Sequence, residues 1–572
     1  MRRGWFPWRQ TLGAAVALAP LAVPLPAQRA ADSARLVRAA HRAQRDYEWT
    51  RRTHLPWIAG GGSGHCDERI GRFCYWHGET VEHAPPDPPV IARARRDLLA
   101  VLDSAGRVAP ADGWVAGQRV RYDLEAGSPD SALAALTPCG AEAWWCDALR
   151  GLALHVSGRF AAASSAFDAA LAEMPERTRC RWLDLTPLLD GAAARRSEHT
   201  GCDARAALDS RLWWLAQPFY SMDANDRRTE HFARRTMIRI ASTSVWPEVS
   251  SWADDIEELI LRYGWPRWFE RVRPAVEADP NYSIMGHDPQ PSFAFFPNGR
   301  LLDSAFAATP GDWDLRAGRA RSRYAPAYAI SIDTLAVALS RFVRGDSAVL
   351  VAAYDASRDT TFTAPVLRAA VVAMPDERQR FMRVDSAARR AGALAVVIPR
   401  RPTIVSVELF DDSARAAARL RTAVAPPADT GALRLSDMLM FRPAGDSLPQ
   451  SLPAAAALAV ARVAAAARLP LGLFWEVYGP PGEAMPLDVS LTVERTGARW
   501  WERARWALHL GGRDAPISLR WRDVARFDAG VSARAVAVDL SRLDGGTYRI
   551  RLEVRGPARN LARTEKTVEV RH

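Results

Sequence analysis

Four carboxylates crowd one short stretch of this chain: Asp254, Asp255, Glu257 and Glu258, with Trp252 before them and Trp265 and Trp268 after. Two carboxylates roughly 5–10 Å apart are the acid and the base or nucleophile of glycoside hydrolysis. Tryptophan faces stack on sugar rings, and the chain holds 21 of them. Carboxylates adjacent in sequence, however, project in different directions from a helix or a strand. A rigid packing motif is the preferred reading. Asp254 and Asp255 then cap a local turn or pair with Arg262 or Arg267, and the three tryptophans bury area around the turn.

Other catalytic templates are missing from the sequence. It has no His-Glu-x-x-His zinc pattern, no Gly-x-x-x-x-Gly-Lys phosphate loop and no Gly-x-Ser-x-Gly elbow. His231 and His287 are isolated in sequence, and His231, beside Glu230 in the first turns of a helix, reads as a surface or salt-bridged histidine. No catalytic, cofactor-binding or metal-ligating residue is assigned, and no cofactor is expected.

The six cysteines all fall in one region: Cys66, Cys74, Cys139, Cys146, Cys180 and Cys202. An even number confined to one part of an exported chain predicts disulfides, with neighbours paired as the simplest connectivity. His65, His77 and His83 crowd the first pair and raise a zinc alternative. Cys66 and Cys74 stand eight residues apart, though, wider than the gap of roughly two to four residues in structural zinc sites.

Export is read from the first 27 residues. Arg2, Arg3 and Arg9 precede an apolar run from Thr11 to Ala27, with polar Gln28 next. This is the pattern of a secretory leader cut near Ala27. Pro20, Pro24 and Pro26 break the run, and about 20 apolar residues are needed to span a bilayer, so no span is expected after its removal. The expected address is the periplasm or envelope of a bacterium. The formal charge of +11 invites a nucleic-acid reading. That reading is set aside, because the arginines are scattered among acids; of 76 basic residues only Lys566 is lysine, a mark of codon bias. Anionic polymers or lipid headgroups still attract such a chain at long range.

The chain is predicted to be multidomain α + β. After the leader (1–27), residues 28–210 form a helical region. Within it Trp114 and Trp145, Gly127 and Gly158, Ala132 and Ala163, and Leu136 and Phe167 each stand 31 residues apart. Gly151, Gly158, Ala163, Phe167, Ala170 and Pro175 sit at the spacings of a tetratricopeptide repeat, which this segment resembles. Small residues at 151 and 163 would let two antiparallel helices approach, with Phe167 filling the gap. Such pairs bind peptides on a concave face or serve as plain scaffold. Alternating strands then predict a first β-sandwich over 320–425, including Val349–Tyr354, Val366–Met374, Ala393–Ile398 and Thr403–Phe410. A second, immunoglobulin-like unit is expected over 430–572, with strands at Leu471–Tyr478, Leu487–Val493, Ala504–Leu510, Ile517–Trp521, Val536–Leu540, Thr547–Val554 and Thr567–Val570. The alanine-rich stretch 454–467 reads as a surface helix or a loop.

Residues 211–310 carry a resemblance to a family. Glu230 and His231 lie in a helix-opening segment, followed by Ser251-Trp252-Ala253-Asp254-Asp255 and Arg262-Tyr263-Gly264-Trp265-Pro266. This block is similar to the GWxTD-domain proteins, an exported bacterial family named for a Gly-Trp-x-Thr-Asp motif that leads into a strand ending Arg-Tyr-Gly-Pro-Pro. Trp252, Asp255, Arg262, Tyr263, Gly264 and Pro266 keep the spacing, while Ser251, Asp254 and Trp265 depart from it. Leu435-Ser436-Asp437 and Phe474-Trp475-Glu476-Val477-Tyr478 resemble two later family segments, the second through Glu476 and Tyr478. The resemblance implies an address and an architecture for a divergent member, not a reaction. The expected role is protein–protein interaction or scaffolding in the envelope, with a protein or peptide partner. The alternative is a glycan- or peptidoglycan-binding protein, and less favoured again a glycoside hydrolase.

Overall fold

The computed structural model describes residues 1, 26–58, 66–78, 84–273, 283–288, 291–318, 320–426, 433–445, 447–464, 470–482, 484–496, 516–540, 543–557 and 560–571. Apart from Met1, Pro26 and Ala27, the expected leader lies outside these residues, as does the expected strand Ala504–Leu510.

The N-terminal half is helical. It runs through α1 (Pro26–His54), α2 (Pro89–Val108), α3 (Gly113–Glu125), α4 (Pro129–Ala135), α5 (Ala143–Val156), α6 (Phe160–Glu173), α7 (Glu176–Trp182), α8 (Gly191–His199), α9 (Cys202–Ala216), α10 (Asp226–Ser242) and α11 (Asp254–Tyr263). Small strands β1 (Trp57–Ile58), β2 (Glu68–Ile70), β3 (Phe73–Tyr75), β4 (Trp268–Val272) and β5 (Ser283–His287) decorate it. The pairs Cys66–Cys74, Cys139–Cys146 and Cys180–Cys202 are disulfides, neighbour to neighbour. No helix among the described residues is long and apolar enough to cross a membrane.

The 31-residue spacing marks two helical hairpins, α3–α4 and α5–α6. Equivalent positions do equivalent work. Gly127 and Gly158 turn the chain at φ +72° and +76°, where a side chain would be strained. Ala132 and Ala163 are fully buried, as are Leu136 and Phe167. At Gly151 a Cβ would lie 2.7 Å from the Phe167 ring. The face of these hairpins is not open, because α10 packs against α3, α5 and α6, and also against α9 and α11.

One run changes class. Leu259-Ile260-Leu261, just ahead of Arg262-Tyr263-Gly264 where the resemblance places the family's strand, lies in helix α11. Acidic Asp254, Asp255 and Glu257 fill its first turn, where the helix dipole favours them. Ile256 and Ile260 are buried four residues apart, and Gly264 at φ +109° ends the helix.

Two β-sandwiches follow. The first pairs a five-stranded sheet, ordered β10-β9-β12-β13-β6, with a three-stranded sheet β11-β8-β7. Its strands are β6 (Ser331–Thr334), β7 (Ala336–Arg344), β8 (Ser347–Asp355), β9 (Leu367–Met374), β10 (Phe381–Ala388), β11 (Ala391–Pro399), β12 (Thr403–Asp411) and β13 (Ala416–Val424). Leu350, Val371, Val405 and Val407 fill the space between the sheets. The second sandwich is built from β14 (Arg434–Leu435), β15 (Leu439–Phe441), β16 (Val463–Ala464), β17 (Leu471–Tyr478), β18 (Ala484–Arg495), β19 (Ile517–Arg526), β20 (Val531–Val538), β21 (Gly546–Arg555) and β22 (Leu561–Arg571). Around β17 pair β14, β15 and β20, and the facing sheet is ordered β16-β22-β21-β18-β19. The alanine-rich stretch forms a short helix, α12 (Leu452–Ala457). It is a surface helix with one buried edge: Pro453, Ala454 and Ala457 are exposed, while Leu452 and Ala455 are buried with Phe342, Val351 and Phe474 in the seam between the sandwiches.

The helical half joins the first sandwich through the outer face of its larger sheet. Val372, Met374 and Ile404 belong to the same core as Trp213 and Trp214 of α9. Buried Glu408 accepts from the Tyr220 and Ser221 amides at 2.7 and 3.0 Å. Arg421 donates to Leu215 O at 3.0 Å and to Pro218 O at 3.3 Å, and so satisfies carbonyls at the C-terminal end of α9.

Gly151→Ala should drive a methyl group into the Phe167 ring and cost about 1–3 kcal/mol. Denaturant unfolding followed by circular dichroism measures this loss. Adding Phe167→Leu should recover part of it; a double variant no better than the single one would refute the contact.

Candidate functional site

The residues singled out in sequence converge on α10 and α11. Asn225 caps α10 by accepting from the Arg228 amide at 3.1 Å. One turn later Glu230 lies buried between two partners. Arg234 Nε donates to its Oε1 at 2.6 Å, and His155 Nε2 of α5 lies 2.7 Å from its Oε2. His155 Nδ1 in turn meets Thr229 Oγ1 at 2.9 Å. Burial pushes the Glu230 carboxyl up, but the Arg234 guanidinium and His155 outweigh it and hold it well below the usual carboxylate range.

Arg234 carries the contact onward. Its Nη1 donates to Leu261 O and Arg262 O at 3.0 and 2.8 Å, and its Nη2 to Arg323 O at 2.8 Å. These first two are carbonyls of the last turn of α11, beside Gly264. His231, expected at the surface or in a salt bridge, is buried instead, because α10 is enclosed on nearly every side. Its Nε2 lies 2.9 Å from Trp182 O. Burial and the nearby Arg235 hold its pKa well below that of a free imidazole, so it is a neutral donor.

The carboxylates of α11 do not face one another across a shared site. Asp255 accepts from Arg72 at Nε (2.7 Å), Nη2 (2.9 Å) and the backbone amide (3.1 Å). These bonds hold its carboxyl down to about 2. Its expected partners, Arg262 and Arg267, are not the ones it takes. Glu257 pairs with Arg181 at 2.7 Å, and Glu258 with Arg262 and Arg321 at 3.1 and 3.3 Å. Arg262 Nη2 and the Tyr263 hydroxyl both donate to Glu68. The Tyr263 ring stacks on Tyr75 at 3.9 Å. Trp252 packs edge-on against Trp246, and Pro266 lies against Gly286 of β5.

Arg72, Glu68 and Tyr75 belong to or flank the β2–β3 hairpin that Cys66–Cys74 closes. Asp255, Arg262 and Tyr263 are therefore the seat of this hairpin. Gly71, at φ +53°, sits so close that a Cβ there would lie 2.5 Å from that of Asp255.

The later pair of segments makes a second seat. Glu476 takes Arg344 of β7 at both oxygens, at 2.6 and 2.7 Å, and the Tyr478 hydroxyl at 2.9 Å. Tyr478 also accepts from the Val343 amide at 2.8 Å. Asp437 takes Arg341 at 2.7 and 3.0 Å. Lys566 Nζ adds three bonds, to Leu339 O (3.1 Å), Ser340 Oγ (2.9 Å) and Met438 O (2.9 Å). These residues tie one sandwich to the other. Arg72, His155, Arg344 and Lys566 were not read as site residues in sequence. The Glu230–Arg234 and Glu258–Arg262 spacings of four are the local signals of pairs.

Three hollows adjoin these networks. A cavity of about 80 Å3 lies between His155, Glu230, Tyr263, Trp265 and Tyr324, with exposed Arg267 stacked over Trp265. A cleft of about 450 Å3 is lined by Gly113, Trp114, Gln118, Trp145 and Arg239. A third, of about 650 Å3, runs along the seam of the sandwiches beside Lys566. On the sandwiches Trp475 is buried and Trp521 half-buried, while Trp500, Trp501 and Trp506 lie outside the described residues.

No protein-family model matches the chain, and no curated protein matches it. Among solved structures it is similar to red sea bream transglutaminase, at 11% identity and a TM-score of 0.15, over 41% of this chain and 31% of that one. A tetra-tandem repeat from the extending region of a large adhesion protein gives 14% identity and a TM-score of 0.13, over 42% and 49%. The FN1–FN3 domains of chicken CNTN1 give 10% and 0.15, over 42% and 68%. The chain thus spans about a third of the transglutaminase and half of the adhesion repeat. Scores of this size carry no argument about function.

Asp209 of α9 is buried with Oδ2 unpartnered. Burial, opposed by Arg205, pushes its carboxyl from 3.8 up to about 7. The folded state thus keeps a proton that the unfolded chain releases, and stability tied to this group is lost as pH rises from about 4 through 7. Asp209→Asn should therefore outlast the parent chain at pH 8 and match it at pH 4 in thermal unfolding. A gap that does not widen with pH would contradict this.

Proposed function

We propose that this chain is an exported envelope protein that acts by binding other macromolecules, as a rigid scaffold rather than a catalyst. It is read as a divergent GWxTD-domain protein with tetratricopeptide-like hairpins. The observation that carries the reading is the commitment of Asp255, Glu257 and Glu258 to Arg72, Arg181 and Arg321 from three other parts of the chain, and to Arg262 of α11 itself. Arg72 holds Asp255 as an anion, and the three carboxylates turn to different partners, which suits docking and not acid–base exchange. The disulfides fit an oxidising compartment. Because α10 fills the hairpin face, a peptide partner would have to use another surface.

The cleft beside Trp114 supports a second reading, glycan binding. Two indoles, the Arg239 guanidinium and Glu142 line it. Together they offer an apolar face with a donor and an acceptor, which a polyhydroxylated ring requires.

Crosslinking capture of the tagged chain from its native envelope separates the two. Asp255→Asn and Glu258→Gln should leave any captured partner unchanged unless folding fails, which circular dichroism reports. Retention on peptidoglycan that Trp114→Ala and Arg239→Ala abolish would favour the glycan reading. A glycosidase activity lost in Asp255→Asn, at unchanged stability, would overturn the scaffold reading.

A further inference from the structure

We propose that the outer face of α1 is a docking surface for an anionic lipid bilayer. The helix is divided lengthwise. Ala40, Gln44, Tyr47, Glu48 and Arg51 are buried against α2 and α3, where Gln44 donates to the Tyr122 hydroxyl and Glu48 accepts from Arg121. Arg38, Arg42, Arg45 and Trp49 are exposed. Their spacing of three or four residues places them in one stripe on the opposite side.

The arginines of this stripe differ from four that the fold buries. Arg51, Arg121, Arg234 and Arg262 are all held by carboxylates within the fold. Arg35, at the start of the stripe, pairs with exposed Asp32. Arg38, Arg42 and Arg45 make no ion pair among the described residues, and the one acid at the stripe's rim is exposed Asp46. Three free guanidiniums in a row are complementary to a surface of phosphates.

Trp49 decides the kind of surface. It is 72% exposed, the most exposed large apolar side chain after Met1 among the described residues. A soluble polyanion satisfies the arginines and leaves this indole in water. A bilayer takes both, because indoles settle at the headgroup level beside basic residues. The apolar side of α1 is already packed inside the protein, so the helix lies on the headgroups and does not enter the acyl layer.

Flotation of the purified chain with phosphatidylcholine vesicles, with and without phosphatidylglycerol, tests this. Binding should require the anionic lipid and weaken with salt. The triple variant R38Q/R42Q/R45Q should lower partitioning on the order of 100-fold. R159Q/R316Q/R522Q removes the same charge from exposed arginines that already have acidic partners, and should bind as the parent does. W49A should weaken binding to vesicles. Equal loss in both triple variants, no binding to either vesicle, or binding to a soluble polyphosphate as tight as to vesicles and indifferent to W49A would each overturn the proposal.

Discussion

Arg234 is the constraint from which most of this architecture follows. A guanidinium taken fully out of water must find an anion and further acceptors, or its burial is prohibitive. Here one group meets Glu230, two carbonyls of α11 and a carbonyl near Tyr324. Three separate pieces of chain, α10 itself, α11 and the segment at Arg323, are thereby placed within one hydrogen bond of a single side chain. The planar fork suits this, since its donors leave in fixed and different directions. Gly264 completes the arrangement: its φ of +109° turns the chain away just where the guanidinium arrives, and a Cβ there would sit 3.5 Å from Nη2.

The same logic extends outward. The residues that resemble a family motif look like chemistry in sequence and act as seats in the fold. Asp255, Arg262 and Tyr263 receive the cysteine hairpin from about 190 residues earlier in the chain; Glu476 and Tyr478 receive β7. The helical hairpins receive α10, a helix so rich in charge that it is buried only because each face finds a partner. A surface that would bind a peptide from elsewhere is thus filled by the chain itself.

How far this was legible in sequence depends on the range of the interaction. The 31-residue spacing marked Gly127 and Gly158 as equivalent, and their matching positive φ follows from local turn geometry. The disulfides pair neighbours at separations of 8, 7 and 22 residues. Strand β17 occupies the range its apolar run implied. By contrast β13, with the alanine- and arginine-rich sequence AAARLRTAV, has β-branched residues only near its end, at Thr422 and Val424, and its pairing with β12 decides its state. The helix α11 was missed because the apolar run at 259–261 was read alone, whereas Ile256, Ile260 and Tyr263 together carry the helical period. Arg72 and Asp255 are 183 residues apart, and no local pattern could join them.

The solitary lysine makes the same point about physical demand. Composition favours arginine so heavily that Lys566 stands alone among 76 basic residues, and codon bias explains the other seventy-five without explaining this one. Its ammonium sits where Leu339 O, Ser340 Oγ and Met438 O converge at 2.9–3.1 Å. Three acceptors around one point match the three tetrahedral donors of an ammonium. A flat guanidinium, longer and forked, would present its donors in one plane and leave an acceptor unmet. Beside it, Arg341 and Arg344 each face a single carboxylate and bind it through two nitrogens. At this seam the geometry of the acceptors, and not the composition of the chain, accounts for which cation stands where.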